Sequence, residues 1–265
     1  MDIDVCWVGT ATVLMEIGPL RVLTDPALNV TPSSRYAAGF GLHYRRTEVP
    51  RLPPEGLGRI DLVLLSHDEH GDNLDEAGRA LLPTAGVVVT TESGAARLAA
   101  TDAAGATRYV GLAPGETTTV SRDGFTLEIT ATPARHGPPG SLPLVGPVIG
   151  FALAWDGQEH GVVYVSGDTV HTAAVDALAD ELRVGTAFLH VGAATFPILG
   201  RVTMNGHGAA RIVDALDPTV VVPIHQRGWS HFREPPAETI RTLADAGYAD
   251  RLEVLIPGTW TTLSP

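Results

Sequence analysis

Short apolar runs, broken at regular intervals by polar and turn-forming residues, dominate the chain. Residues 3–8, 11–17 and 20–24 predict three short strands, with tight turns at Gly9 and Gly18-Pro19. The run from Asp61 to Leu65 predicts a buried strand, and Asp75 to Leu82 a short helix that Pro83 ends. Residues 87–91 predict another buried strand, and Glu92 to Ala100 a helix capped by Thr91. Shorter β segments follow around 107–110 and 117–120. The alternation from Phe125 to Thr132 is that of a half-buried strand.

Further on, 148–155 and 161–166 predict a hairpin around Asp156-Gly157, followed by a helix over 170–183 and a strand over 186–191. Helices are expected at 204–216, stopped by Asp217-Pro218, and at 237–246, stopped by Gly247. A strand at 219–223 lies between them. Strands at 252–256 and 259–263 close the chain. The order is strands followed by βα units, in two comparable halves. No low-complexity linker divides them, so the expectation is one domain over 1–265 built of two similar halves.

Two stretches break the pattern. Residues 26–58 are rich in Pro, Gly, Arg and Ser and carry His43, Tyr44, Arg45 and Arg46. A loop of that length in a compact domain is usually functional or disordered. It reads as a wall of a substrate pocket, with the basic pair either facing an anionic substrate or solvated. Residues 137–147 form a second irregular loop, filled by Pro and Gly.

Composition narrows the classes. The net charge is −12 and the 18 basic residues are scattered, which argues against a phosphate-backbone binder. The single cysteine, Cys6, excludes an internal disulfide and a cysteine-based zinc knuckle. No apolar run approaches the roughly 20 residues that span a bilayer. The N-terminus shows no signal-peptide pattern, so a cytoplasmic protein is the expectation. A homo-oligomer is left open.

The chemistry gathers where predicted strands end. The first such end runs Ser66-His67-Asp68-Glu69-His70-Gly71-Asp72-Asn73-Leu74-Asp75. Imidazole nitrogen and carboxylate oxygen are what zinc, manganese and iron accept. His136 follows the strand at 125–132, Asp168 lies in Ser166-Gly167-Asp168-Thr169, and His225 follows Pro223-Ile224. Four such ends along one chain suggest that the fold collects them at one edge for a two-metal site. Asp168 also reads as an N-cap of the next helix. Asp25, in Thr24-Asp25-Pro26, either caps a turn or orients a metal ligand.

With Gly9-Thr10-Ala11-Thr12 and Leu23-Thr24-Asp25-Pro26, these motifs make the chain resemble the metallo-β-lactamase-fold hydrolases over nearly its whole length. The nearest branch is the one that includes the ascorbate-phosphate lactonase-like proteins and the N-acyl-phosphatidylethanolamine phospholipases. The resemblance implies a four-layer αββα sandwich with a metal site at one edge of two sheets. It implies His67, His70 and His136 as ligands of a first metal, and Asp72, Asp168 and His225 as ligands of a second, with Asp168 bridging.

The family string His-x-His-x-Asp-His reads here as His-x-x-His-x-Asp-Asn, so Asn73 takes the place of the last histidine as a weaker ligand. Anchored instead on Ser66-His67, Glu69 takes the second-histidine place, as in diiron oxygen reductases. Thr10 stands where many members of the branch have a histidine. Asp72, which also suits orienting the water, and His190, which lies in a segment facing the site in relatives, are the catalytic candidates. His207 lies in another such segment. His43 and His231 sit in loops within reach of the pocket, while His160 and His171 look superficial. Trp229 and Phe232 line the pocket or belong to the core.

The implied function is a metal-dependent hydrolase in which a metal-bound hydroxide cleaves a lactone, phosphodiester or carboxylic ester of a small molecule. One or two zinc ions are expected, with Mn2+ or Fe2+ as alternatives. Two other readings remain: a degenerate metal-binding or regulatory protein, motivated by Asn73, and an iron-dependent redox protein, motivated by Glu69.

Overall fold

The structure is a computed structural model that describes residues 1–37, 43–102, 105, 107–197 and 199–265. The chain opens with β1 (Ile3–Gly9), β2 (Thr12–Ile17) and β3 (Leu20–Thr24). The long loop then contains a small hairpin, β4 (Arg35–Ala37) and β5 (His43–Arg45); the part of that loop at 38–42 lies outside the described residues. Next come β6 (Leu62–Leu64), α1 (Glu76–Leu81), β7 (Val87–Thr91), α2 (Glu92–Thr101) and β8 (Arg108–Leu112).

The second half contains β9 (Thr117–Arg122), β10 (Phe125–Pro133), a short α3 (Leu142–Val145), β11 (Ile149–Ala154), β12 (Val162–Val165) and α4 (Ala173–Asp176). It continues with β13 (Val184–His190), a small pair β14 (Thr195–Phe196) and β15 (Gly200–Arg201), and α5 (Gly206–Leu216). β16 (Val220–Ile224), α6 (Pro236–Leu243) and β17 (Trp260–Leu263) complete it.

Two large sheets result. One has the order β17-β1-β2-β3-β6-β7-β8 and the other β16-β13-β12-β11-β10-β9. Their layering follows from strand alternation, since successive side chains point to opposite faces. In β2, Val13 and Met15 join the cluster between the sheets, while Leu14 joins the cluster shared with Leu74, Leu82 and Leu98 on the outer face. In β13, Phe188 faces the inner cluster, and Ala187 and Leu189 pack with Ile212 and Leu243 of α5 and α6. The expected four-layer αββα sandwich is the fold observed.

Strand direction places the site. β3, β6, β7 and β8 run parallel to one another. β12, β13 and β16 are also parallel. β10 is two antiparallel steps from β12, so it points the same way. The carboxyl ends of β3, β6, β10, β12, β13 and β16 therefore carry Asp25, Ser66-His67, His136, Asp168, His190 and His225 in turn.

Several expected elements differ. The helix over 170–183 shrinks to Ala173–Asp176 and a 3-10 turn, Ala177–Asp180. Thr172 caps it by accepting from the Val175 amide, so Asp168 is released from that role. Asp176 and Asp180 fall at like-charge i, i+4 spacing, which disfavours a longer helix. No strand forms over 252–256: Leu252 makes one isolated bridge to Val221. The helix expected over 237–246 is regular α over Pro236–Leu243, and Gly247, at φ +96°, breaks the helical path where its stop was expected.

Candidate metal centre

The first cluster is built on the loop after β6 and on the end of β10. His67 Nε2 lies 2.9 Å from His70 Nδ1, and His136 Nε2 lies 3.1 Å from the same atom. The ring protons of two of these histidines are directed away from the cluster. His136 Nδ1–H donates to the Val202 carbonyl at 2.9 Å, and a carbonyl only accepts. His136 Nε2 therefore presents a lone pair. His67 Nδ1 meets Ser66 Oγ at 3.0 Å, and that hydroxyl donates to Asp25 Oδ1 at 2.9 Å. Asp25 also accepts from the Ser66 amide at 2.7 Å. Asp25 thus orients His67 through Ser66, which decides between its two expected roles.

Burial, with the neighbouring imidazoles, holds His67 well below the ordinary histidine pKa, and His70 is brought down to about 4 by burial and His136. Burial also lowers His136. At neutral pH this cluster is three uncharged imidazoles, with the Nε2 lone pairs of His67 and His136 both facing His70 Nδ1.

The second cluster is Asp72, Asp168 and His225. His225 Nε2 lies 3.5 Å from Asp72 Oδ2 and 3.4 Å from Asp168 Oδ1. Both His225 nitrogens are buried without a hydrogen-bond partner. Burial opposes the charge on His225, but Asp168 and Asp72 overcome it and raise the imidazole to about 9. Burial likewise opposes ionisation of both carboxylates. His225, His190 and His136 nevertheless hold Asp168 below the usual range, and His225 and His231 do the same for Asp72.

Asp168 joins the two clusters. Its Oδ1 faces His225, and its Oδ2 lies 3.9 Å from His136 Nε2. The ligand-type atoms within each cluster all lie within 4.8 Å of one another. Donor types, converging lone pairs and orphaned buried nitrogens all fit divalent cations, held by His67, His70 and His136 on one side and by Asp72, Asp168 and His225 on the other.

Other expected residues fall elsewhere. His190 is fully buried behind Asp168, with Nδ1 2.9 Å from Asp168 Oδ1. It stacks on His225 with ring centroids 5.3 Å apart. Its Nδ1 is thus spent on Asp168, while its Nε2 is buried without a hydrogen-bond partner. Asn73 is buried, with its Nδ2 3.4 Å from Ser66 Oγ and its Oδ1, the atom that would ligate a metal, without a hydrogen-bond partner. Glu69 turns outward to pair with Arg97, so His70 rather than Glu69 joins His67. Arg46 does not face a substrate: it is buried, pairs with Asp75 at 2.7 Å and lies 4.4 Å from the Trp229 ring. Arg45 and His43 are exposed, as is His207. His171 pairs with Asp176 at 2.8 Å.

His231 is the residue that sequence reasoning undervalued. Its Nε2 lies 3.0 Å from Asp72 Oδ2, and its ring is boxed by Tyr44, Phe196 and Phe232. Phe232 also packs on His225. Trp229 belongs to the supporting layer and donates from Nε1 to Thr10 Oγ1 at 2.9 Å. The backbone is left-handed at Thr10 (φ +50°), Asp25 (+33°) and His225 (+56°). Such non-glycine conformations cost on the order of 1–3 kcal/mol each and concentrate at functional sites. The His225 amide donates to the Thr10 carbonyl, which ties two of them together.

Residues 20–226 match the model of the β-lactamase superfamily domain. The chain belongs to this superfamily. It is 26% identical over 252 residues to a UPF0173 metal-dependent hydrolase of Caldivirga maquilingensis, covering 95% of this chain and 94% of that one. Its fold superposes on the isothiocyanate hydrolase from Delia radicum gut bacteria with a TM-score of 0.83, at 21% identity, covering 99% and 100% of the two chains. A metallo hydrolase from Ignicoccus hospitalis superposes with a TM-score of 0.74, at 22% identity over 99% of each chain. These likenesses show the metallo-β-lactamase fold.

Proposed function

We propose that the protein is a metal-dependent hydrolase that adds water to an electrophilic carbon or phosphorus of a small molecule. Lactone, phosphodiester and carboxylic ester substrates fit, and the carbon of an isothiocyanate, acted on by the structural relative from the Delia gut, belongs to the same electrophile class. The observation that carries the proposal is Asp168, placed with one oxygen toward each of two ligand clusters.

His67, His70 and His136 would hold one cation, and Asp72, Asp168 and His225 the other; zinc suits both donor sets, with manganese or iron as alternatives. Bound there, the metals supply Lewis acidity toward a substrate oxygen and activate a water at neutral pH. The chain's own residues do the rest. Asp25 and Ser66 fix the His67 ring. His190 fixes Asp168 and is a positioning residue. His231 fixes Asp72, which would orient the water. Tyr44, Phe196 and Phe232 exclude solvent on the His231 side. The outward turn of Glu69 weighs against the iron-redox reading. We place the protein with the ascorbate-phosphate lactonase-like branch on the motifs after β3 and β6.

The test pairs metal content with a screen of lactones, phosphodiesters, carboxylic esters and isothiocyanates. Turnover that chelation abolishes and added metal restores supports the proposal. Full metal loading with no turnover on any class would favour the degenerate binder.

A further inference from the structure

Outside the ligand clusters, a second chemistry gathers. A cavity of about 560 Å³ is lined by Arg135, His171, Arg201, Asn205, His207 and Arg211, among others, and no Asp or Glu lines it. Among the described residues, Arg135, Arg201 and Arg211 form no salt bridge; all three are exposed, and what sets them apart is that they line one cavity together. Arg135 spends only its Nε, donated to the Gly137 carbonyl at 3.1 Å. In a chain of net charge −12, three guanidinium groups around one cavity that no carboxylate lines form a local basic patch able to attract an anion.

The amino end of α5 is not the source of attraction. Gly206 already donates to Glu234 Oε1 at 2.6 Å, and Gly208 to Asn205 Oδ1 at 3.0 Å. His171 is turned toward Asp176. The arginines carry the site.

Its position relates it to the metal centre. Arg135 precedes His136, and Arg201 precedes Val202, whose carbonyl takes the His136 Nδ1 proton. Val170, another lining residue, lies two residues after Asp168. The Val170 amide donates to the Arg135 carbonyl at 2.9 Å and locks these two segments together.

We propose that this cavity binds an anion of the phosphate or carboxylate class, held by Arg201 and Arg211 with help from Arg135. Guanidinium forks match the paired oxygens of both groups. The anion is either the charged end of the substrate or a separate effector. Only the choice between those two sources rests on the hydrolase reading.

The experiment is a calorimetric titration of the protein as purified with inorganic phosphate at fixed ionic strength. Wild type should bind saturably. The double variant Arg201→Gln/Arg211→Gln, both exposed positions, should bind at least about tenfold more weakly, with unchanged Tm and metal content. Arg211→Lys, which keeps the charge, should lose less. Asp168→Ala, the variant expected to empty both ligand clusters, should keep phosphate binding, which separates the cavity from the metals. No saturable binding by wild type, unchanged affinity in the double variant, or loss in Asp168→Ala would each overturn the proposal. If a turnover substrate is in hand, phosphate raises KM for an anionic ester and not for its neutral analogue when the substrate's charged end fills the cavity. A change in kcat with both esters identifies an effector instead. Failure to find any substrate leaves the titration result standing.

Discussion

The two ligand clusters share one edge of the fold but are built on opposite electrostatic plans. The His67, His70 and His136 cluster is three neutral imidazoles, and His70 is partly exposed. The Asp72, Asp168 and His225 cluster is fully buried, with two ionised carboxylates around a protonated imidazole. The first is ready for a cation at neutral pH. The second attracts a cation more strongly but must first release the His225 proton. Asp168, oriented by His190, is where the two plans meet.

The largest effect that would break this comparison comes from Asp168→Ala. It should empty both clusters, reducing bound metal from about two equivalents toward none and activity to background. If elemental analysis shows one equivalent retained, Asp168 belongs to one cluster only.

Next come the paired variants His136→Ala and His225→Ala. Each should lose about one equivalent and leave the other in place. Loss of both metals in both variants would make the clusters a single cooperative unit.

The protonation difference gives a sharper readout. Because His225 titrates near 9, filling its cluster at pH 7 should release about one proton, while filling the neutral cluster releases almost none. Calorimetry in buffers of different ionisation heat counts these protons. The metal-free protein should show the same division in its stability. His70, brought down to about 4, contributes stability that is complete above the unfolded pKa of about 6.5 and is lost as pH falls toward 4. His225, raised to about 9, contributes stability that is complete below about 6.5 and is lost as pH rises through 9. The Tm of metal-free protein should therefore fall on both sides of roughly pH 6.5. Asp25, which burial raises to about 8, adds to the alkaline limb, so a His225→Ala variant should show that limb diminished, and an undiminished limb would contradict the assignment.

The smallest expected effect is at His231. His231→Ala should weaken metal affinity of the second cluster by about 10–100-fold while the first is unchanged, as measured by competition with a chelator. Equal weakening of both would remove His231 from its place beside Asp72.

Much of this arrangement was legible beforehand. Strand ends are legible because an apolar run that stops at a histidine or aspartate is a local signal. His67, His70, Asp72, His136, Asp168 and His225 each carried it, and the fold brings them together. What a side chain meets across the fold is not local. Arg46 reads in the sequence as either a substrate contact or a solvated cation, and Asp75, 29 residues away, holds it buried as neither. His231, 159 residues from Asp72, carried no motif at all. The helix after Asp168 misled for a related reason: Thr172, closer to the helix, takes the cap and frees Asp168 for the centre.

The most direct test is metal per chain in protein purified without added metal, for wild type beside Asp168→Ala. The account predicts about two equivalents in wild type and close to none in the variant. A wild type that takes up no metal even on reconstitution, or a variant that keeps both equivalents, would contradict it.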